Sequence, residues 1–329
     1  MNNKEINVVI PVYNVEKYLS DCLNSLINQT YPYWRAILVN DGSKDKSYDI
    51  MMEFQAKDNR FICLTGENQG ASEARNKGLE KVDGDYLFFL DSDDFIHPQT
   101  FEIMVAKLEE SNADFVSFKA TDVAEDACLS GFENFDKNQI SGQLLKKPFE
   151  SFMLDKSVAS PVVWNKMYRF DKIKGAKFFK ELRYEDDYTF LLQALNKMES
   201  HLKLDINLYF LRSNPNSLTR KVNYETYVKS ALARMSVCKN HLIDKGLYSK
   251  ANQEMLEANM ANDFVRMLIR KILRKAKDKN LAEVIRIELI KFIKDGTIKT
   301  KYLNIYKRIC VYLFTKKLFG LVKILISLT

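Results

Sequence analysis

The sequence predicts an α/β fold on two observations. In the first 120 residues, short β-rich runs alternate with segments of helical periodicity, as in a mostly parallel sheet with helices on both faces. Several of these runs are followed directly by polar residues, mainly Asp, Asn and Gly. The β-rich runs lie at 7–13, 34–40, 61–66, 86–91 and 114–119, and the helical segments at 15–28, 45–57, 70–81 and 98–111.

Composition indicates a globular protein large enough for two domains, since the chain has 329 residues, of which 46% are hydrophobic and 28% charged. The first hydrophobic stretch is interrupted early by Pro11, so we expect no secretion signal. The five cysteines are scattered and show no Cys-x-x-Cys spacing. We therefore predict neither a disulfide framework nor a zinc site.

The chain divides by pattern into three regions, 1–120, 121–223 and 224–329. Polar residues with weak periodicity between 121 and 147 predict a loop-rich insertion, and the last region predicts an all-α segment. Residues 221–329 contain 23 Lys and Arg against nine Asp and Glu, a net charge of +14, whereas residues 1–220 carry −7. Such a basic region suggests anionic lipid or nucleic acid, although a solvated basic helix face is the commoner explanation.

The first β-rich run ends in Pro11-Val-Tyr13-Asn14. Proline cannot donate to a sheet ladder, so we expect the strand to stop or kink there and to place Tyr13 and Asn14 at the edge that faces a ligand. A nucleotide base could stack on the ring of Tyr13. The alternative is an edge-strand proline followed by a plain turn.

The second run ends in Asn40-Asp41-Gly42-Ser43, which sets another carboxylate at the end of a strand. Glycine allows the backbone to turn tightly beneath a bound molecule. The carboxylate of Asp41 could then accept hydrogen bonds from a base N–H or a ribose hydroxyl. Asp-Gly-Ser is also a common turn sequence, so this motif alone is not specific.

The third run leads into a segment in which Gly70 and Ser72 open a helix. The free N–H groups at a helix N-terminus favour an anion. Arg75 lies within the first two turns and could reach toward the same crevice. Simple helix capping is the alternative, and the Gly-x-Gly-x-x-Gly dinucleotide pattern is absent from this segment.

The fourth run delivers three carboxylates at its carboxyl end, Asp91, Asp93 and Asp94. Ligands bind beyond the carboxyl ends of strands in open α/β sheets. Three acids this close repel one another unless a divalent cation or a proton neutralises them. The motif therefore predicts a metal and phosphate site, with a solvated acidic turn that caps the next helix as the alternative.

In order and spacing these motifs resemble those of the inverting family 2 glycosyltransferases, which have the GT-A (Rossmann-like) fold. The resemblance is strongest over 1–120, and three later motifs resemble the bacterial exopolysaccharide and capsule branch. No motif matches after 224. The matching segments are 9–14, 40–43, 68–78 and 90–94, followed by 163–168, 183–187 and 209–218.

The resemblance implies roles for individual residues. Asp41 and Arg75 would contact the uracil or ribose of a nucleotide-sugar, beside the Pro11–Asn14 segment. Asp91 and Asp93 would form an Asp-x-Asp element that holds Mn²⁺ or Mg²⁺, with Asp93 as the direct ligand and Asp94 as an alternate. Arg212, with Asn214 and Ser217, would lie on a loop that closes over the pyrophosphate.

The resemblance also implies a catalytic base, Asp186, within the Glu185-Asp186 element. Asp187 extends this element to three acids and leaves its register open. A solvated helix N-terminus stabilised by the helix dipole is the alternative.

As a whole, the resemblance implies an enzyme that moves a sugar from a UDP-sugar to a surface polysaccharide precursor, lipid-linked, with inversion at the anomeric carbon. Region 1–120 would bind the nucleotide-sugar, and region 121–223 would bind the acceptor and supply the base. The alternatives are a sugar-nucleotide pyrophosphorylase, although its glycine- and arginine-rich phosphate loop is absent, and a non-catalytic glycan-binding relative.

Residues 309–328 predict a cationic amphipathic helix, with apolar side chains such as Val311 and Phe314 opposite Lys316, Lys317 and Lys323. We expect this helix to lie on an anionic membrane surface. The protein would then be cytoplasmic and peripheral at the inner face of the cell membrane, with no nucleic-acid partner. Packing against the body of the protein, or against a second subunit in a homo-oligomer, is the alternative.

Overall fold

The computed structural model divides the chain into two compact units, Met1–Thr226 and Tyr227–Thr329. The predicted regions 1–120 and 121–223 both fall in the first unit. The residues that the structure describes are 3–149, 152, 161–180, 186–214, 236–240, 242–244, 246, 249–267, 279–294, 296, 299–303 and 305–317.

The first unit is built on a nine-stranded sheet. Its strands are β1 (Ile6–Val12), β2 (Trp34–Asn40), β3 (Phe61–Thr65), β4 (Tyr86–Phe89), β5 (Phe95–Ile96), β6 (Phe115–Val123), β7 (Gly142–Lys146), β8 (Lys166–Arg169) and β9 (Ser200–Arg212). They follow the order β3-β2-β1-β4-β8-β6-β9-β5, and β7 pairs with β9.

The helices of the first unit connect and cover these strands. They are α1 (Leu19–Ile27), α2 (Ser47–Lys57), α3 (Ala71–Leu79), α4 (Thr100–Ser111), the single turn α5 (Phe170–Ile173) and α6 (Asp186–Leu195). Strand β1 is apolar and buried along nearly its whole length, as expected for a central strand that is covered on both faces.

The two halves of the sheet differ in strand direction. Strands β3, β2, β1 and β4 are parallel, so their carboxyl ends lie at one edge. Strand β8 runs antiparallel to both β4 and β6. The predicted α/β fold with a GT-A-like sheet is confirmed, and the structure adds that the half beyond β4 is mixed. Strand direction depends on long-range pairing, which local hydrophobic pattern does not specify.

The prediction of a loop-rich segment over 121–147 is wrong at both of its ends. Strand β6 continues to Val123, and Gly142–Lys146 forms β7 against β9. Most residues of β7 are exposed, so the strand lacks the apolar alternation by which sequence reveals a strand.

Helix α3 lies unusually close to the sheet. A Cβ atom on Gly78 would be 2.5 Å from a methyl carbon of Val9 in β1. Only glycine allows this approach, because any side chain would collide with the strand. The close contact fixes the distance of α3 from the sheet and therefore the position of Arg75 one turn earlier.

The second unit is helical, as the sequence predicts. It contains α7 (Lys250–Met267), α8 (Lys279–Lys294), a 3₁₀ turn (Thr300–Tyr302) and α9 (Ile305–Thr315). Helices α8 and α9 are linked where Nη1 of Arg286 donates to the carbonyl of Thr315 at 3.2 Å. None of the helices that the structure describes combines the length and apolarity needed to cross a membrane.

The predicted amphipathic helix at 309–328 is described only as far as Lys317. Within that part, Val311 and Phe314 of the predicted apolar arc are buried, whereas Ile309 and Tyr312 are exposed. The described part of the arc therefore packs against protein, and a different face of α9 is open to solvent. The remainder of the arc lies outside the described residues.

Candidate active site

The predicted site residues gather where β1, β2 and β4 end. Asp41 directly follows β2 and is buried. Its two carboxylate oxygens accept hydrogen bonds from the backbone N–H groups of Gln69 and Gly70, each at 2.8 Å. Asp41 thus fastens the loop before α3 to the end of β2, while each oxygen keeps a further lone pair for a ligand.

Gly42 permits this arrangement. Its φ angle is +70°, and a Cβ atom there would lie 3.0 Å from the backbone nitrogen of Asn68. A side chain at this position would be strained and would also push the loop away from Asp41. The glycine of the Asp-Gly-Ser motif is therefore required by close backbone approach as well as by the turn.

The segment that follows β1 has one exposed ring and one structural side chain. Tyr13 is 47% exposed, as a residue that stacks on a base would need to be. Asn14, at φ +50°, bridges to the next loop, since its N–H donates to Oγ of Ser43 at 3.1 Å and its Oδ1 accepts from the N–H of Lys44 at 2.7 Å.

The expectation that β1 stops at Pro11 is wrong. The strand continues to Val12, and Pro11 stays paired with Val39 of β2. Pairing with β4 ends at Val9, so the missing N–H of Pro11 interrupts no ladder on that side.

Arg75 on α3 joins carboxylates from two parts of the sequence. Its Nη2 lies 2.9 Å from Oδ1 of Asp91, and its Nη1 lies 3.4 Å from Oδ2 of Asp186 and 3.7 Å from Oδ1 of Asp187. Burial by itself would lower the pKa of Arg75, but the charges of Asp91, Asp187 and Asp186 raise it above its ordinary value. One buried guanidinium thus faces three carboxyl groups, which leaves the cluster short of positive charge.

The remaining acids of the β4 loop are held by the chain that leaves β9. Oδ2 of Asp93 accepts from Nδ2 of Asn214 at 2.9 Å, and Oδ1 of Asp94 accepts from the backbone N–H of Arg212 at 2.8 Å. Burial and the charge of Asp91 raise the pKa of Asp93. Burial and the charges of Asp93 and Asp91 raise the pKa of Asp94 to about 8.

The chemistry of this loop suits a hard divalent cation. Mg²⁺ and Mn²⁺ bind oxygen ligands, and Mg²⁺ is commonly held by one or two carboxylates together with substrate phosphates. Asp91 and Asp93 supply such oxygens, and a cation would relieve the excess of negative charge that raises the pKa of Asp93. The described part of the chain contains no group of three ligating His, Cys, Asp or Glu side chains. Phosphate oxygens or water would complete the coordination.

Arg212 lies at the end of β9, but its guanidinium bonds residues outside the acidic loop. Its Nη2 donates to Asp21 at 2.9 Å, and its Nη1 donates to the carbonyls of Glu125 and Ala127 at 2.8 and 3.0 Å. Its hydrogen bond to the acidic loop, among the described residues, comes from its backbone N–H. A role of the guanidinium at the pyrophosphate stays a prediction, and Ser217 lies outside the described residues.

The two acids that begin α6 differ in their surroundings. Oδ2 of Asp186 accepts from Oγ of Ser72 at 2.8 Å in addition to its contact with Arg75. Oδ2 of Asp187 accepts from the N–H of Val163 at 3.3 Å, whereas its Oδ1 is buried and accepts no hydrogen bond from the described residues. Glu185 lies outside the described residues.

The pKa of Asp187 is raised to about 7. Burial is the main cause, the charge of Arg75 opposes it, and the charges of Asp186 and Asp91 add to it. A carboxyl group of this kind can exchange a proton near neutral pH.

Sequence reasoning missed two contributors to the site. The hydroxyl of Tyr209 accepts the N–H of Asp91 at 3.1 Å, and the hydroxyl of Ser72 bonds Asp186. Tyr209 falls in a segment that was singled out for its family resemblance, but β9 reaches the β4 loop only through tertiary pairing. For Ser72 the sequence indicates only the start of a helix. It does not indicate the bond with Asp186, which is 114 residues away.

Comparison with known proteins first defines a class, an α/β protein of the GT-A type. The solved structure of Staphylococcus aureus TarS 1–349 in complex with UDP-GlcNAc is similar, with a TM-score of 0.71 at 20% identity over 98% of this chain and 90% of that chain. The mannosyltransferase PcManGT from Pyrobaculum calidifontis, in complex with GDP-Man and Mn²⁺, matches at a TM-score of 0.53 and 12% identity, over 98% of this chain and 87% of that chain.

The family follows from sequence. The model of glycosyl transferase family 2 matches residues 7–175, about half of the chain, and the chain belongs to that family. Glycosyltransferase GlyA of Streptococcus pneumoniae serotype 4 is 33% identical over 78% of this chain and 38% of its own length. The uncharacterized glycosyltransferase EpsJ of Bacillus subtilis is 31% identical over 65% of this chain and 62% of its own length. The chain thus spans less than two thirds of each of these relatives.

Proposed function

We propose that this chain transfers a sugar from a nucleoside diphosphate donor, a UDP-sugar, to a hydroxyl group of a glycan acceptor, with inversion. The observation that carries the proposal is the position of Arg75, which contacts Asp91 at the end of β4 and the acids Asp186 and Asp187 at the start of α6. A displacement reaction needs a stabilised leaving group on one side and a base on the other. Arg75 links residues suited to both.

The donor would bind along the edge formed by β1, β2 and β4. The exposed ring of Tyr13 offers a surface for the base, and Asp41 has lone pairs for base or ribose groups. Asp91 and Asp93 would hold Mn²⁺ or Mg²⁺ together with the diphosphate oxygens. Such a cation stabilises the charge that develops on a departing diphosphate. The neighbouring structures with UDP-GlcNAc and with GDP-Man and Mn²⁺ support this choice of ligand class.

The reaction is a single displacement. The acceptor oxygen forms a bond to the anomeric carbon while the bond from that carbon to the diphosphate oxygen breaks on the opposite face. The acceptor's proton passes to a carboxylate of this chain. Because attack and departure occur on opposite faces, the configuration of the anomeric carbon inverts.

The sequence favours Asp186 as the base, and the geometry brings in Asp187 as a second candidate. Asp186 is held by Ser72 and Arg75. Asp187 has one oxygen that accepts no hydrogen bond from the described residues, and its pKa is raised to about 7. A base works best when its pKa is near the working pH. This favours Asp187, but its Oδ1 is buried. A base must also reach the acceptor's proton, so we propose Asp186 as the proton acceptor, as the resemblance implies, with Asp187 as the second candidate.

The decisive experiment titrates Mn²⁺ while it follows release of UDP from a panel of UDP-sugars, for the wild type and for Asp93→Ala. The variant should lose both the turnover and the metal-dependent affinity for UDP measured by calorimetry. Asp122→Asn, an exposed carboxylate on β6, is the matched control and should behave as the wild type. Unchanged metal-dependent affinity in folded Asp93→Ala would contradict the assignment.

The same assay separates the two rival functions. A sugar-nucleotide pyrophosphorylase would form a nucleoside triphosphate when pyrophosphate is added to the nucleotide-sugar. A glycan-binding relative without activity would release no UDP from any donor in the panel. Release of UDP that accelerates when an acceptor is added supports the transferase.

The resemblance of the later motifs to the exopolysaccharide and capsule branch supports a lipid-linked surface polysaccharide precursor as the acceptor. We further propose that α9 contacts the anionic inner face of the cell membrane, which would bring the enzyme to such an acceptor. Ile309 and Tyr312 are 45% and 60% exposed, and the ammonium of Lys316 lies 6.0 Å from the Tyr312 ring. Exposed apolar and cationic side chains on one helix face suit a membrane interface.

A further inference from the structure

Trp164 lies at the same edge of the sheet as the acidic loop, although none of the roles above uses it. Strand β8 runs antiparallel to β4, with Phe88 opposite Met167. Trp164 lies three residues before Met167, beyond the start of β8 and on the side of the carboxyl end of β4. The direction of β8 therefore places Trp164 at the edge of the sheet where β4 ends, the edge that carries Asp91.

Direct contacts support this placement. The rings of Trp164 and Tyr209 lie 4.6 Å apart between centroids, at an interplanar angle of 33°. The hydroxyl of Tyr209 in turn accepts the N–H of Asp91. Trp164 is only partly buried and packs against the hydrophobic core, so part of the indole is available to a ligand.

The backbone on either side of Trp164 is fixed. The N–H of Val163 donates to Asp187 at 3.3 Å. Asn165 and Phe118 bond each other twice, from Nδ2 of Asn165 to the carbonyl of Phe118 at 3.1 Å and from the N–H of Phe118 to the carbonyl of Asn165 at 3.2 Å. A residue held on both sides can present its ring without a large entropic cost when a ligand binds.

We propose that Trp164 is a stacking platform for the apolar C–H face of a sugar ring, an inference that rests on the proposed function. One neighbour of Trp164 in sequence bonds Asp187, on the side of the base, and its ring partner Tyr209 bonds Asp91, on the side of the diphosphate. A ring in this position lies next to the place where the sugar leaves the diphosphate and bonds to the acceptor. The indole face is electron-rich and extended, which suits the polarised C–H groups of a pyranose. Both the donor and the acceptor carry such a ring.

Tryptophan fluorescence offers a direct test, because the chain has only two tryptophans, Trp34 and Trp164. Trp34 is 1% exposed and begins β2, at the end of the strand away from Asp41. The difference in emission between the wild type and Trp164→Phe therefore reports on Trp164. The ligands are UDP, the UDP-sugar that the wild type is found to hydrolyse, and chitotriose or maltotriose added to the UDP-bound protein.

We expect the UDP-sugar or the oligosaccharide to shift the emission of Trp164 and to protect it from quenching by acrylamide, while UDP alone has little effect. A response to the UDP-sugar identifies the donor sugar as the stacked ring, and a response to the oligosaccharide identifies the acceptor. The proposal would be overturned if emission and quenching were the same with UDP as with the chosen UDP-sugar, and if neither oligosaccharide gave a response.

Kinetics supply a second test with a conservative variant. Trp164→Leu, which keeps an apolar side chain but removes the ring, should raise KM for the sugar-bearing substrate by about 3- to 10-fold, the value of one aromatic stack. Trp164→Phe should recover most of this loss, and affinity for UDP alone should not change. If Trp164→Leu weakens UDP and UDP-sugar equally, the ring merely packs against Tyr209 and the proposal fails.

Failure of the proposed function would look different. In that case the wild type itself would neither bind UDP in a metal-dependent manner nor hydrolyse any UDP-sugar. Should Trp164→Leu not fold, the quenching measurements on the wild type and on Trp164→Phe still decide the matter.

Discussion

Asp41 and the acids around Arg75 are two carboxylate sites at the same edge of the sheet, and they are neutralised in different ways. Asp41 is satisfied by two neutral backbone N–H groups on one loop. Asp91, Asp186 and Asp187 share one buried guanidinium. Asp41 is already hydrogen-bonded within its own loop and would only add bonds to a ligand, whereas the second site gains most when a cation or a proton arrives. The difference separates a residue that shapes the site from residues suited to chemistry.

The largest expected effect comes from removing the base. We expect Asp186→Asn to lower turnover by about 10²–10⁴-fold, the usual contribution of a positioned base, while donor binding stays nearly intact. Asp187→Asn should have a smaller effect, because Asp186 keeps its contacts with Ser72 and Arg75. Steady-state rates of transfer and calorimetry with UDP measure the two quantities. A large loss of turnover in Asp187→Asn with a small one in Asp186→Asn would instead identify Asp187 as the base.

The pH dependence of stability gives an independent check on Asp187. Its pKa is raised from 3.8 to about 7 in the folded protein, so the folded state favours the protonated form. This contribution to stability is fully present below the unfolded pKa and is lost as pH rises through about 7. Denaturant titrations across this range should show the loss in the wild type and not in Asp187→Asn.

The next effect concerns the shared cation. Arg75→Leu leaves three carboxyl groups without their partner, and removal of one member of a buried pair costs about 3–5 kcal/mol of unfolding free energy. The cost should shrink at acidic pH, where the carboxyl groups take up protons. Lys57→Met on α2 removes the exposed pair with Glu53 and should cost less than about 1 kcal/mol. Equal losses of unfolding free energy in the two variants would show that the carboxyl groups around Arg75 do not depend on its positive charge.

A smaller effect is expected at Asp41. Asp41→Asn keeps one carbonyl oxygen to accept an N–H but turns an amide group toward the other donor. Leaving one buried group unsatisfied costs about 1–3 kcal/mol of unfolding free energy. Unlike the loss in Arg75→Leu, this loss should change little when the pH is lowered and the carboxyl groups around Arg75 take up protons. A strong pH dependence in Asp41→Asn would mean that the two carboxylate sites are coupled.

The smallest effect concerns the second unit. Ile309→Ser combined with Tyr312→Ser should reduce cosedimentation with anionic vesicles, and salt should weaken binding of the wild type because charge attraction is screened within about 10 Å at 0.1 M salt. UDP release from the donor should persist. Deletion of 305–329 should reduce binding further. Vesicle binding that is unchanged in both variants would exclude the membrane role, and a changed oligomeric state would indicate a contact between subunits.

How far the sequence predicts this molecule depends on the range of the interactions involved. Strands β1 to β4 and the acids Asp41, Asp91 and Asp93 follow from local signals, namely apolar runs, turn residues and their order. The direction of β8 and the partners of Ser72 and Arg212 depend on residues far away in sequence. No local pattern encodes such pairings. The register of Asp186 and Asp187 is a similar case, since only their surroundings distinguish the two carboxylates.

The glycine at 78 has a consequence for which sequence changes this protein can accept. It carries no side chain of its own, yet a Cβ atom there would lie 2.5 Å from a methyl carbon of Val9. Gly78→Ala would have to push α3 outward, and the 2.9 Å pair of Arg75 with Asp91 would lengthen with it. In a mutational scan Gly78 should tolerate as little replacement as Arg75 and Asp91. The distance between α3 and β1 at Gly78 determines whether Arg75 reaches Asp91.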